Sequence, residues 1–125
     1  MLPRRPIAAA LAAAALATTA AGCTDDAPPA QARGGRVSVT LDDFSITPQR
    51  IRAKAGRITF RATNRGKTGH TLHVMRGERD VVAISTLLPG ESGQASGTFS
   101  RGDYKLVCIL GNHEELGMYG TLTVR

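Results

Sequence analysis

Between Cys108 and Met118 the chain sets a thiol, an imidazole and a thioether at intervals of five residues, with His113 in the middle. No regular element brings the three together. An extended strand rises about 3.3 Å per residue and would carry His113 roughly 17 Å from Cys108. An α-helix would hold them about 7.5 Å apart along its axis and on different faces. Only a compact loop gathers Cys108, His113 and Met118 at one point, and Gly111, Gly117 and Gly120 supply the backbone freedom to fold it. Ahead of the loop, Tyr104, Leu106 and Cys108 alternate with Lys105, Val107 and Ile109. The strand that delivers the thiol therefore turns it to the same face as Leu106, toward a core.

Thiolate, imidazole and thioether form a soft donor set that suits copper, ill suits magnesium, calcium or manganese, and includes a poor zinc ligand in methionine. A second imidazole comes from upstream, where His70, Leu72 and Val74 share one face of a predicted strand. Two histidines, one cysteine and one weak methionine make the ligand set of blue-copper sites. Taken singly, Cys108 reads as a small buried hydrophobe and His70 as a satisfied core histidine. It is their combination with His113 and Met118 that points to a metal. His73 and Met75 fall on the opposite strand face and are read as outer residues, not ligands.

Two blocks of the sequence resemble the cupredoxins, the small blue copper proteins of the plastocyanin, azurin and auracyanin kind. One is Asn64-x-Gly66-x-x-x-His70; the other runs from Tyr104 through Cys108, His113, Gly117 and Met118 to Gly120, and the likeness extends over residues 36–125. Gly111-Asn112 stands where many relatives have Pro-Gly. The resemblance implies one copper ion cycling between Cu(I) and Cu(II). His70, Cys108 and His113 would lie in a plane about it and Met118 on the long axis. It also implies an apolar docking patch around His113, for which Leu110, Leu116 and Tyr119 are the candidates. Asn64 would tether the ligand-bearing segments by side-chain hydrogen bonds; it reads equally as an ordinary residue at a strand end.

The rest of the chain fits an all-β fold. Val37, Val39 and Leu41 alternate with polar residues, and Ile58, Phe60, Ala62 and Asn64 line one face of the clearest alternation. Phe44, Ile46 and Ile51 continue the core, with Pro48 marking a bend between short edge segments. Further strands are predicted over 70–75, 81–87, 92–99 and 119–124, with no ten-residue helical pattern and at most one helical turn over 112–118. Seven or eight short strands divided by turns indicate a Greek-key β-sandwich.

The chain has 125 residues and a formal net charge of +6, of which Arg4 and Arg5 contribute two. Residues 1–22 carry a charged start and an Ala/Leu-rich run too short to span a bilayer, as in a signal peptide. Ala20-Ala21-Gly22-Cys23 resembles a bacterial lipoprotein box, so Cys23 is expected to carry the lipid anchor; an ordinary signal-peptidase site among the alanines is the alternative. Residues 23–35, rich in Pro, Gly and Ala, read as a flexible tether, of which the twelve residues 24–35 reach about 37 Å if drawn out as polyproline II. Residues 36–125 then form a single domain. Lipidation would leave Cys108 without a disulfide partner in an oxidising compartment, a liability that a bound metal removes.

These features exclude several classes. Without basic runs interleaved with aromatics there is no nucleic-acid signature. No second catalytic domain fits, and neither the His-x-His pairs of multi-copper enzymes nor the second loop cysteine of a binuclear centre is present. The expectation is a non-enzymatic, monomeric electron carrier at the outer face of the cell membrane, or periplasmic if Cys23 is not lipidated. It would exchange electrons with a redox protein such as a cytochrome or a membrane oxidase or reductase. Copper trafficking to a membrane enzyme is the rival, and a cupredoxin-like adhesion module a third reading that the intact ligand set opposes.

Overall fold

The computed structural model describes residues 27–125, together with Pro3. The expected leader, Pro3 apart, and the lipidation candidate Cys23 lie outside the described residues. Ten strands appear in chain order: β1 (Ala30–Gln31), β2 (Arg36–Asp42), β3 (Ser45–Thr47), β4 (Arg50–Ala53), β5 (Gly56–Asn64), β6 (His70–Arg76), β7 (Arg79–Leu87), β8 (Ser92–Phe99), β9 (Gly102–Val107) and β10 (Tyr119–Val124). No helix occurs among the described residues, and residues 111–117 form a chain of turns.

Two mixed sheets face each other. One has the order β1-β4-β10-β9-β6-β7 and the other β3-β2-β5-β8. Ten strands exceed the expected seven or eight. Pro48 separates β3 from β4, and the chain passes there from one sheet to the other, so β4 is not an edge segment but lies between β1 and β10. One strand not expected is β1, whose Ala30 and Gln31 pair in parallel with Ile51 and Arg52. Within the stretch 23–35 expected as a flexible tether, the sheet takes up the chain from Ala30, and Ala32 donates its amide to the Arg52 carbonyl at 2.8 Å. Composition could not show this, because the pairing uses only backbone groups that any sequence carries.

Alternation places the core. In β5 the side chains of Ile58, Phe60, Ala62 and Asn64 are fully buried, while Arg57 and Arg61 point outward. Val37, Val39 and Leu41 of β2 and Leu72 and Val74 of β6 meet them from the two sheets, with Leu106 and Leu122 behind. Burying each such side chain contributes roughly 1.5–3 kcal/mol. Phe60 and Phe99 pack with ring centroids 5.9 Å apart, and Phe99 meets Tyr104 edge-on at 5.0 Å.

Strand directions bring four chain segments to one rim of this sandwich. Parallel pairing of β2 with β5 sets Leu41 beside Asn64, so the turn after β2 lies next to the loop after β5. Antiparallel pairing of β6 with β9 sets His73 opposite Val107, which brings the start of β6 to the end of β9. Tyr119, at the start of β10, pairs with Val107. Residues 43, 64–70, 108–118 and the end of β7 thus converge although they are far apart in sequence.

Candidate metal centre

Cys108 follows the last residue of β9 and is fully buried, as the alternation with Tyr104 and Leu106 requires. The loop beyond it closes on itself. Leu110 O accepts from the His113 amide at 3.0 Å, His113 O from the Met118 amide at 3.0 Å, and Met118 O from the Cys108 amide at 3.1 Å. Gly111 and Gly117 take positive φ angles of 48° and 126°, which L side chains rarely adopt. Gly120 has a different reason from the one expected: it sits in β10 with no positive φ, and an added Cβ would lie 2.6 Å from the Gln49 carbonyl.

The loop and β6 together bring the expected donors to one point. One donor atom each from His70, Cys108 and His113 lie within 4.8 Å of one another. His70 Nδ1 is 3.3 Å from His113 Nδ1, and Cys108 Sγ is 3.5 Å from His113 Nδ1. Met118 is fully buried and joins the same core cluster as Cys108. His70 and Cys108 are also wholly buried, whereas His113 is partly exposed. His73 lies on the outer face as expected, its Nδ1 3.0 Å from Asp80 Oδ1.

Asn64 carries the bonds of a tether. Its side-chain amide donates to the carbonyls of Thr68 and Leu87, each at 2.8 Å, and its Oδ1 accepts from the Gly66 amide at 2.8 Å. Leu87 is the register partner of His70 in the β6–β7 pair, so Asn64 fixes the 65–69 loop against the strand position that holds the ligand.

Three contributors escaped the sequence reading. Thr71 is buried, its amide donates to Cys108 Sγ at 3.4 Å and its hydroxyl lies 3.7 Å from the same sulfur. That hydroxyl also accepts from the Ile109 amide at 3.0 Å. Phe44 packs on His113 with centroids 4.8 Å apart and meets His70 edge-on at 6.1 Å. Asp43 Oδ1 lies 2.6 Å from His70 Nε2. The Lys67 amide, 2.7 Å from Oδ2, is the main cause that lowers the Asp43 carboxyl from 3.8 to about 2. Partial desolvation opposes it, while Thr68 and His70 reinforce it. Asp42-Asp43 reads as turn chemistry, so no local signal marked Asp43.

Chemically, the centre offers a thiol and two ring nitrogens, two of the three residues fully buried, with a buried thioether on the same loop. No carboxylate belongs to the converging set, so it does not suit hard cations. Asp43 Oδ1 lies on Nε2 of the His70 ring, and the other ring nitrogen, Nδ1, faces His113. The residues present fit a single copper ion, arranged as a type 1 site.

The sequence profile of the cupredoxin-like domain matches residues 6–124. This chain is a member of the cupredoxin family. Its fold is similar to that of dithionite-reduced auracyanin from the photosynthetic bacterium Roseiflexus castenholzii, with a TM-score of 0.70 and 17% identity over 75% of this chain and 99% of the other. Auracyanin B matches with a TM-score of 0.64 and 20% identity over 80% and 92% of the two chains. Rusticyanin from Thiobacillus ferrooxidans matches at 0.62 and 16% identity over 76% and 80%. A multicopper oxidase is matched over 41% of its own length, with a TM-score of 0.60. No curated protein sequence matches significantly.

Proposed function

We propose that this cupredoxin is a mononuclear blue copper electron-transfer protein working outside the cytoplasm. The observation that carries the reading is the convergence of the His70, Cys108 and His113 donor atoms within 4.8 Å, two of them in fully buried residues. Copper held there would supply a one-electron couple, Cu(II)/Cu(I), with no bond chemistry required of the protein. His70, Cys108 and His113 would hold the ion, and Met118 would be a further, weak donor that helps set the potential.

The chain's own bonds support a carrier over a delivery protein. The ligand loop is closed by backbone hydrogen bonds and the 65–69 loop is held by Asn64, so little has to rearrange when charge changes. His113 alone of the four ligands keeps exposure, and Ile109, Leu116 and Tyr119 are about half exposed in the same loop region. Leu110, expected in that patch, is instead partly buried against the core. Electrons would pass through the His113 side to a redox protein such as a cytochrome or a membrane oxidase or reductase. The protein would act as a monomer anchored by lipid on Cys23 at the outer face of the cell membrane. Loading purified protein with Cu(II) tests this: an intense visible band and a reversible one-electron voltammogram are expected. Stoichiometric loss of copper to a membrane partner, without reversible redox change in place, would replace electron transfer with trafficking.

A further inference from the structure

The shape of the loop after β5 is explained by neither the ligands nor the core. It wraps one carboxylate. Asp43 Oδ2 accepts from the Lys67 amide at 2.7 Å; Oδ1 takes the Thr68 hydroxyl at 2.9 Å, the Thr68 amide at 3.4 Å and His70 Nε2 at 2.6 Å. Gly66 closes the wrap. A Cβ there would lie 2.3 Å from Asp43 Oδ1 and 2.8 Å from His70 Nε2, so any side chain at this position has to displace one or both of them. The Gly66 amide is held by Asn64 Oδ1, which links the buried asparagine to the carboxylate–imidazole contact.

We propose that Asp43 is a positioning residue for the metal centre: it holds His70 as the Nε2–H tautomer with Nδ1 turned to the site, and its negative charge favours Cu(II) over Cu(I). The proposal rests on the copper reading above, and the geometry supplies its physical basis. With three other donors already on it, the carboxylate acts only as an acceptor, so the ring proton of a neutral His70 belongs on Nε2. Bonds of this charge-assisted kind are about twice as strong as neutral ones. A carboxylate behind a ligating histidine raises the basicity of the nitrogen facing the metal, which favours the more highly charged oxidation state. Among the described residues His113 has no such support: its Nδ1 faces His70 and Cys108, and its ring rests on Phe44. The two imidazoles are therefore unequal, one buried and electron-rich, the other partly exposed.

The test uses Asp43→Asn and Gly66→Ala in the full protein. In Asp43→Asn the affinity for Cu(II) relative to Cu(I) should fall at least about tenfold, within the range expected for losing such a partner. That equals a rise in potential of about 59 mV for one electron. Gly66→Ala keeps the carboxylate but displaces it or the ring, and should shift the potential the same way. A second readout needs no copper. Nitrogen NMR of the apo protein should show His70 protonated at Nε2 in the wild type and a mixture of tautomers in Asp43→Asn. Unchanged potentials in both variants, or an unchanged His70 tautomer in apo Asp43→Asn, would overturn the proposal. If the wild type lacks a blue band, the copper reading fails, while the apo tautomer still decides whether Asp43 positions His70.

Discussion

The amide of Cys108 donates to the carbonyl of Met118 across 3.1 Å. The first and last donor residues of the loop are thus joined through the backbone, and the behaviour of the centre should follow from the individual side chains.

Cys108→Ser removes the soft thiolate while keeping a small buried side chain. The intense visible band of the Cu(II) form should vanish, because a hydroxyl does not replace the sulfur. Absorption spectra of copper-loaded wild type and variant check this; a band that survives the substitution would show that Cys108 is not the thiolate ligand.

Met118→Leu should retain copper and colour and raise the potential, since loss of a weak thioether donor disfavours Cu(II) more than Cu(I). Voltammetry at fixed pH measures the shift. An unchanged potential would remove Met118 from the axial role.

His73→Ala should leave copper stoichiometry and spectrum as they are. Its ring lies on the outer face of β6 against Asp80, and losing that ion pair should change stability by less than about 1 kcal/mol. Copper loss comparable to that of His70→Ala would contradict the strand parity.

Leu116→Asp should slow electron transfer without altering spectrum or potential, because Leu116 is 51% exposed on the ligand loop. With a net charge of +6 on the whole chain, two of it from Arg4 and Arg5 of the expected leader, about +4 is left for the mature protein, and transfer to an acidic partner should also slow as salt rises. Stopped-flow rates across a salt series would show both effects, and a salt-independent rate would exclude charge steering.

The apo protein should lose stability in acid through Asp43. Its folded value of about 2 lies below the ordinary 3.8, so the stabilisation is fully present above about pH 4 and is lost as pH falls toward 2. Asp43→Asn should be less stable at neutral pH and lose less on acidification over that window, as thermal unfolding of the metal-free protein would show.

Periodicity and residue chemistry were sufficient for most of the sandwich and for the four ligands. Ile58, Phe60, Ala62 and Asn64 alternate with outward residues over a single strand, and a pattern of period two is a local property that any reader of the chain can see. Cys108, His113 and Met118 were legible for a related reason: their spacing defeats both regular elements, and their donor types narrow the metal. The contacts that finish the centre were not local. Asp43 reaches His70 across 27 residues of chain and Thr71 reaches Cys108 across 37. Neither has a side chain unusual for a turn or a strand. What joins them is the parallel pairing of β2 with β5 and the antiparallel pairing of β6 with β9, which bring distant segments to one rim. The sequence by itself determined which atoms could bind copper; only the tertiary structure decided which carboxylate, hydroxyl and ring stand behind them, because strand pairing is made by backbone groups that are the same at every residue.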